Sequence, residues 1–111
     1  MSNGKQNPAL QGGYLSENTA QGDFYTILIT FADYDSGHIE GLWGKNHAPA
    51  NPLGSSGYHR LEASNESTLT FEFDGDISFI LLSKDQNYKR LSGQFHSKQS
   101  GSTTHVVFNR S

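Results

Sequence analysis

The sequence predicts an all-β domain, most simply a small eight-stranded antiparallel up-and-down barrel, with a β-sandwich as the alternative. Three observations predict it. About eight short segments alternate apolar and polar residues at a spacing of roughly ten residues. Clusters of Gly, Asp, Asn and Ser separate them. No segment sustains the helical period over a useful length. Consecutive short hairpins favour an up-and-down barrel, which also removes the exposed sheet edges of an open sheet.

The elements follow in chain order. Residues 1–11, MSNGKQNPALQ, are polar and aperiodic and read as a flexible tail, leaving residues 12–111 as one barrel domain. GGYLSE is a short first strand. In DFYTILITFAD, Tyr25, Ile27, Ile29 and Phe31 share one face and Phe24, Thr26, Leu28 and Thr30 the other. Both faces are partly apolar. GHIEGLWG sets Ile39, Gly41 and Trp43 against His38, Glu40 and Leu42. GYHRLEA is a weaker strand. STLTFEFD is the cleanest, with Leu69, Phe71 and Phe73 inward and Thr68, Thr70 and Glu72 outward. DISFILLS follows, rich in branched and aromatic residues. YKRLSGQFHSK puts Leu91, Gly93 and Phe95 on one face, and TTHVVFNR puts Val106 and Phe108 on one face. Gly41 and Gly93 suit the bends of a small barrel.

The turn at FDGDI fixes a register. A two-residue Asp74-Gly75 turn would set Asp76 opposite Phe73. A three-residue loop over 74–76 pairs Phe73 with Ile77, Phe71 with Phe79 and Leu69 with Leu81, and keeps the apolar face continuous. The one long connection, residues 45–57, carries two of the three prolines and is a candidate functional loop.

FADYDSGHIEGLWG resembles a calcium loop at first sight. An EF-hand needs oxygen ligands at positions 1, 3 and 5 with glycine at 6. With Gly37 at position 6, Asp33 and Asp35 fall out of phase. The stretch therefore reads as a hairpin turn with Gly37 at positive φ and with solvated aspartates.

Composition narrows the function. The net charge is −3 and no basic stripe exists, so nucleic acid is not an expected partner. No window is long and apolar enough to span a membrane, and the first residues carry no apolar run of a signal peptide. There is no cysteine, which removes disulfides and thiolate chemistry. A cytoplasmic location is the expectation. Asn65-Glu66-Ser67 and Asn109-Arg110-Ser111 match the glycosylation pattern by chance. No metal-ligand spacing, nucleophile elbow or phosphate loop is present, so no metal and no cofactor are expected. Aromatic residues make up 12 % of the chain. Tyr14, Tyr25, Trp43, Tyr58 and Tyr88 each join an apolar body to a polar handle, as residues of small-molecule pockets do.

GGYLSEN…FYTILITFADYDSGHIEGLWG resembles the opening of avidin-like barrels, and YKRLSGQFHSKQSGSTTHVVFNR resembles their closing segment. Other calycin-type barrels, and those of allene oxide cyclase type, fit the same strand pattern. The resemblance implies an eight-stranded barrel with a ligand cavity at one end. Trp43 would then stand where the family has a pocket tyrosine, and Asn18 near its first-strand polar ligand. The family's further tryptophans have no counterpart, because Trp43 is alone, so the biotin site is not retained.

The leading expectation is a non-catalytic protein that binds a small, partly apolar ligand at the barrel mouth. Tyr25, Trp43, Tyr58, Phe95 and Asn18 are its candidate ligand contacts. The first alternative is a barrel enzyme of cyclase or isomerase type, using His38, Glu40, His59 or His96 as acid or base. The second is a lectin-like or oligomerising interaction module, which makes a homo-oligomer a possible state.

Overall fold

The computed structural model describes residues 9–17, 22–33, 36–60, 66–73, 77–84 and 87–111. Asn18 lies outside them. The described chain is all β, with no helix. Its strands are β1 (Gly12–Ser16), β2 (Tyr25–Ala32), β3 (His38–Lys45), β4 (Asn51–Pro52), β5 (Ser56–Arg60), β6 (Ser67–Glu72), β7 (Ile77–Ser83), β8 (Arg90–Ser97) and β9 (Thr103–Arg110). Apart from β4 and β5, which both pair with β3, neighbours pair antiparallel in chain order, and β1 pairs with both β2 and β9. The sheet therefore closes into an up-and-down barrel of eight staves plus the short β4, and no sandwich forms.

The fourth stave is broken. β4 pairs with β3 through Asn51–Trp43 and Pro52–Leu42, and the Leu53 amide donates to the Gly41 carbonyl. β5 then pairs with β3 through Ser56–Ile39 and Gly57–His38, one residue out of step. The connection read as one long loop thus contains a bulged strand. An extra residue there bends the chain toward β6, where the Gly54 amide donates to the Glu72 carbonyl.

A second irregularity corrects the face assigned to Phe31. The register of β2 against β3 shifts between Ile29 and Phe31. Thr30 is the extra residue, so Phe31 pairs with outward Glu40, while Ala32 turns inward and is buried. Elsewhere alternation holds. The β6–β7 register matches the three-residue loop, with Phe71 opposite Phe79 and Leu69 opposite Leu81, and the Phe73 amide donates to the Ile77 carbonyl.

The interior is packed with large side chains. Phe79 is fully buried and lies 4.5 Å from Phe73, 5.3 Å from Tyr25, 5.6 Å from Phe95 and 5.5 Å from Phe108, measured between ring centroids. Tilted and edge-on pairs dominate, as the ring quadrupoles favour. Gly41 and Gly93 face inward where strands coil sharply: a Cβ would lie 2.1 Å from the Leu28 carbonyl oxygen and 2.0 Å from that of Ile80.

One end of the barrel is stoppered. Leu10, within the segment expected to be tail, is fully buried in the core. Tyr88, at φ 54, is also buried there and shares a hydrogen bond of 3.1 Å with the Ser67 hydroxyl. Arg110 donates to the carbonyls of Ala9 and Gln11, which ties the segment down from the last strand.

Candidate functional site

The expected ligand contacts divide between the two ends. Tyr25, at the start of β2, lies 5.7 Å from Phe95 of β8 and 5.8 Å from Phe73. Trp43, near the end of β3, stacks on Phe73 at 4.5 Å with ring planes 11° apart. These four form the end opposite the stopper. Tyr58 stands at the stoppered end, where its ring meets Tyr88 edge-on at 6.5 Å. It belongs to a separate cluster with Tyr88 and Ser67.

Within the Trp43 end, the members differ in access. Tyr25 and Phe95 are buried, and Trp43 is half-buried against the core. Ala9, Leu53 and Ile77 are likewise partly buried against the core. Phe73, which the sequence marks only as core, supplies the surface beneath the indole. Nothing in the alternation distinguishes it from Phe71, since alternation gives the face of a ring and not its partner across the barrel.

The loop after β3 is pinned beside this end. Asn46, at φ 63, donates its amide proton to the Phe24 carbonyl and accepts from the Phe24 amide at 3.0 Å. Its side chain also donates to Asp23 at 3.0 Å, and the Thr26 hydroxyl donates to the His47 carbonyl at 2.8 Å. The loop thereby lies on the outer wall of β1 and β2 and leaves an apolar cleft of about 350 Å³ lined by Leu15, Leu28, Ala48 and Pro49.

The candidate acid–base residues lie on the outer wall. His38 Nε2 and a Glu40 carboxylate oxygen are 3.0 Å apart, and both side chains are more than half exposed at 54 % and 64 %. His59 is exposed and shares a groove with His38. His96 is exposed on β8 and hydrogen bonds Thr103 at 3.2 Å. His38, Glu40 and His59 are thus near neighbours on one wall, and His96 is not among them.

The turn between β2 and β3 matches the hairpin reading. Gly37 has φ 79 and donates its amide proton to the Asp33 carbonyl. Asp33 is occupied within the turn: its carboxylate accepts from the Ser36 hydroxyl at 2.5 Å and from the Ser36 amide at 3.3 Å. Asp35 lies outside the described residues. Among the described residues no three His, Asp or Glu side chains converge as metal ligands, and no helix is long and apolar enough to cross a membrane.

An ionisable group displaced by burial sits at the stopper. Burial pushes the Tyr14 phenol up to about 12, and the Arg110 guanidinium partly offsets the rise. The phenol donates to the Leu10 carbonyl at 2.9 Å and accepts from Arg110 at 3.0 Å. These bonds tie the first strand to the segment before it and to the last strand.

Comparison with protein-family models, with curated proteins and with solved structures gives no match for this chain.

Proposed function

We propose that this chain is a non-catalytic binding protein of the cytoplasm that takes a small, flat, partly apolar ligand on the aromatic end of its barrel. The parallel stack of Trp43 on Phe73 carries the reading. One face of the indole is held by Phe73, and the side chain is only partly buried. A rigid ring presented this way offers a large contact area at little entropic cost. Tyr25 and Phe95 support the stack from below and fill the space that a deep cavity would need. The ligand therefore lies across the mouth.

The catalytic alternative has less support. Proton transfer at neutral pH calls for groups tuned by burial or by close charges. His38 and Glu40 pair in the open on the outer wall, away from the aromatic end.

The single tryptophan makes the test direct. Trp43 emission is followed during titration with biotin, a fatty acid, a haem analogue and a hydrophobic dye. Saturable quenching by one of them, lost in Phe73→Leu but not in Tyr58→Phe, is the expected result. A panel without any saturable response removes the mouth site.

A second reading rests on a different observation. Leu15 of β1 is 45 % exposed and Ile80 of β7 is 60 % exposed, both on the outer wall. Such side chains are common in contacts between copies. Sedimentation equilibrium of the wild type and of Ile80→Thr decides whether the barrel self-associates through that wall.

A further inference from the structure

The outer wall carries a groove of about 410 Å³ between β3, β5 and β6. The strand register builds it. His38 pairs with Gly57, and Gly57 with Thr70. All three positions face outward, so the absent side chain of Gly57 leaves a notch between an imidazole and a hydroxyl. One step along, His59 stands opposite Thr68 and forms a second rank. Ser36 closes the groove at the β2–β3 turn.

The floor of the notch is backbone. The Tyr58 amide donates to the Gly37 carbonyl at 2.8 Å, and a Cβ on Gly57 would lie 2.9 Å from that same carbonyl oxygen. The notch therefore stays open because the chain passes too close there for a side chain. The seam between β3 and β5 is short, with residue pairs at His38–Gly57 and Ile39–Ser56.

The lining selects a chemical class. Its polar side chains are hydroxyls and imidazoles, groups able both to donate and to accept hydrogen bonds. Among the described residues, no lysine, arginine, aspartate or glutamate lines it. An anion would find no fixed cation, and a cation no carboxylate, since Glu40 is engaged by His38 beside the groove. A wholly apolar ligand would strip water from these polar groups without replacing it. Among the described residues, the side chains of His59 and Thr68 have no hydrogen-bond partner. The threonine methyls and the Gly57 backbone supply apolar contact for C–H groups. The volume falls in the range of small-molecule sites, roughly 300–1,000 Å³.

We propose that this groove is a binding site for a neutral saccharide, contacted by His38, His59, Thr68 and Thr70. A sugar ring presents alternating donors and acceptors with a C–H face, which matches the lining group for group. The site is separate from the aromatic end and does not depend on the reading of Trp43.

Nitrogen-15 NMR titration of the intact chain tests it. The probes are maltose, lactose, diacetylchitobiose and methyl α-mannoside, each taken to its solubility limit. At least one should give saturable shifts at the amides of Gly57, His59, Thr68 and Thr70, while the Trp43 indole signal stays in place. Thr68→Val with Thr70→Val keeps shape and strand preference and removes two hydroxyls, so affinity should fall about tenfold or more. Unchanged Trp43 emission shows that this variant is folded, and Thr68→Val alone serves if it is not. No saturable shift with any probe overturns the proposal. So do shifts centred on Trp43, or wild-type affinity in the folded variant.

Discussion

Arg110 lies over the ring of Tyr14, 5.3 Å from its centroid, and donates to that residue's hydroxyl at 3.0 Å. One guanidinium thus grips a side chain of the first strand while it also holds the carbonyls of Ala9 and Gln11. Arg110→Ala removes all of these contacts and leaves the buried phenol short of a donor. Hydrogen bonds from a charged group contribute about 1.5–3 kcal/mol each, and they share one side chain here, so a total loss of about 2–4 kcal/mol is expected. Urea denaturation of wild type and variant measures it. Arg110→Lys should recover only part, because an ammonium lacks the planar fork.

The buried phenol predicts a loss of stability in alkali. The folded-state pKa of Tyr14 is about 12 against an ordinary 10.0, with burial as the main cause. Between those values the unfolded chain releases the proton and the folded chain keeps it. The contribution is therefore complete below pH 10 and is lost as pH rises toward 12. Its size is on the order of 2–3 kcal/mol. In Tyr14→Phe the fall of unfolding free energy across this window should be shallower than in the wild type. Equal slopes would show that Tyr14 ionises like an exposed tyrosine.

Phe79 and Ile80 are adjacent in sequence and opposite in consequence. Phe79 touches four other aromatic rings at the centre of the barrel. Phe79→Ala should cost about 3–5 kcal/mol and red-shift Trp43 emission as the packing beneath it loosens. Ile80→Thr, on the outer wall, should stay within about 0.5 kcal/mol. Thermal unfolding of both variants reads the contrast.

Gly93 is fixed by space. A Cβ there would meet the Ile80 carbonyl oxygen at 2.0 Å and the Leu81 Cα at 2.9 Å, both backbone atoms of the paired strand. Gly93→Ala should cost about 3 kcal/mol or more, or prevent folding. The neighbouring exposed Gln94→Ala should be close to neutral. Denaturation midpoints of the two substitutions settle the point.

Much of the barrel is legible in the sequence because alternation carries the information. Leu69, Phe71 and Phe73 against Thr68, Thr70 and Glu72 set both the face and the partner of β6, and the β7 register follows from keeping that face continuous. Bulges are harder to read. Thr30 looks like any outward residue of β2, yet it is the extra residue that turns Phe31 outward. The stave formed by β4 and β5 is hidden for the same reason, since Pro52 and Gly54 read as loop while the backbone still follows β3. Leu10 lies in a polar, aperiodic stretch, and its place is set by Tyr14, which bonds its carbonyl, and by Arg110, a hundred residues along the chain, which holds Ala9 beside it. Among the expected ligand contacts, Tyr25 meets Phe95 and shares Phe73 with Trp43, but Tyr58 stands apart, because composition says nothing about which end of a stave a ring occupies. The notch at Gly57 needs the register of three strands at once.

The pairing of β1 with β9 has a consequence for synthesis. A ribosome releases β1 long before β9 exists, and β1 can meanwhile pair only with β2. Until Phe108, Asn109 and Arg110 emerge, the nascent chain is an open ribbon with an unsatisfied edge and an unseated Leu10. Closure is then a single late event between segments far apart in the chain, and such contacts form slowly. Translation products that stop short of β9 are expected to be clients of chaperones, while chains that have released β9 can close the sheet on β1.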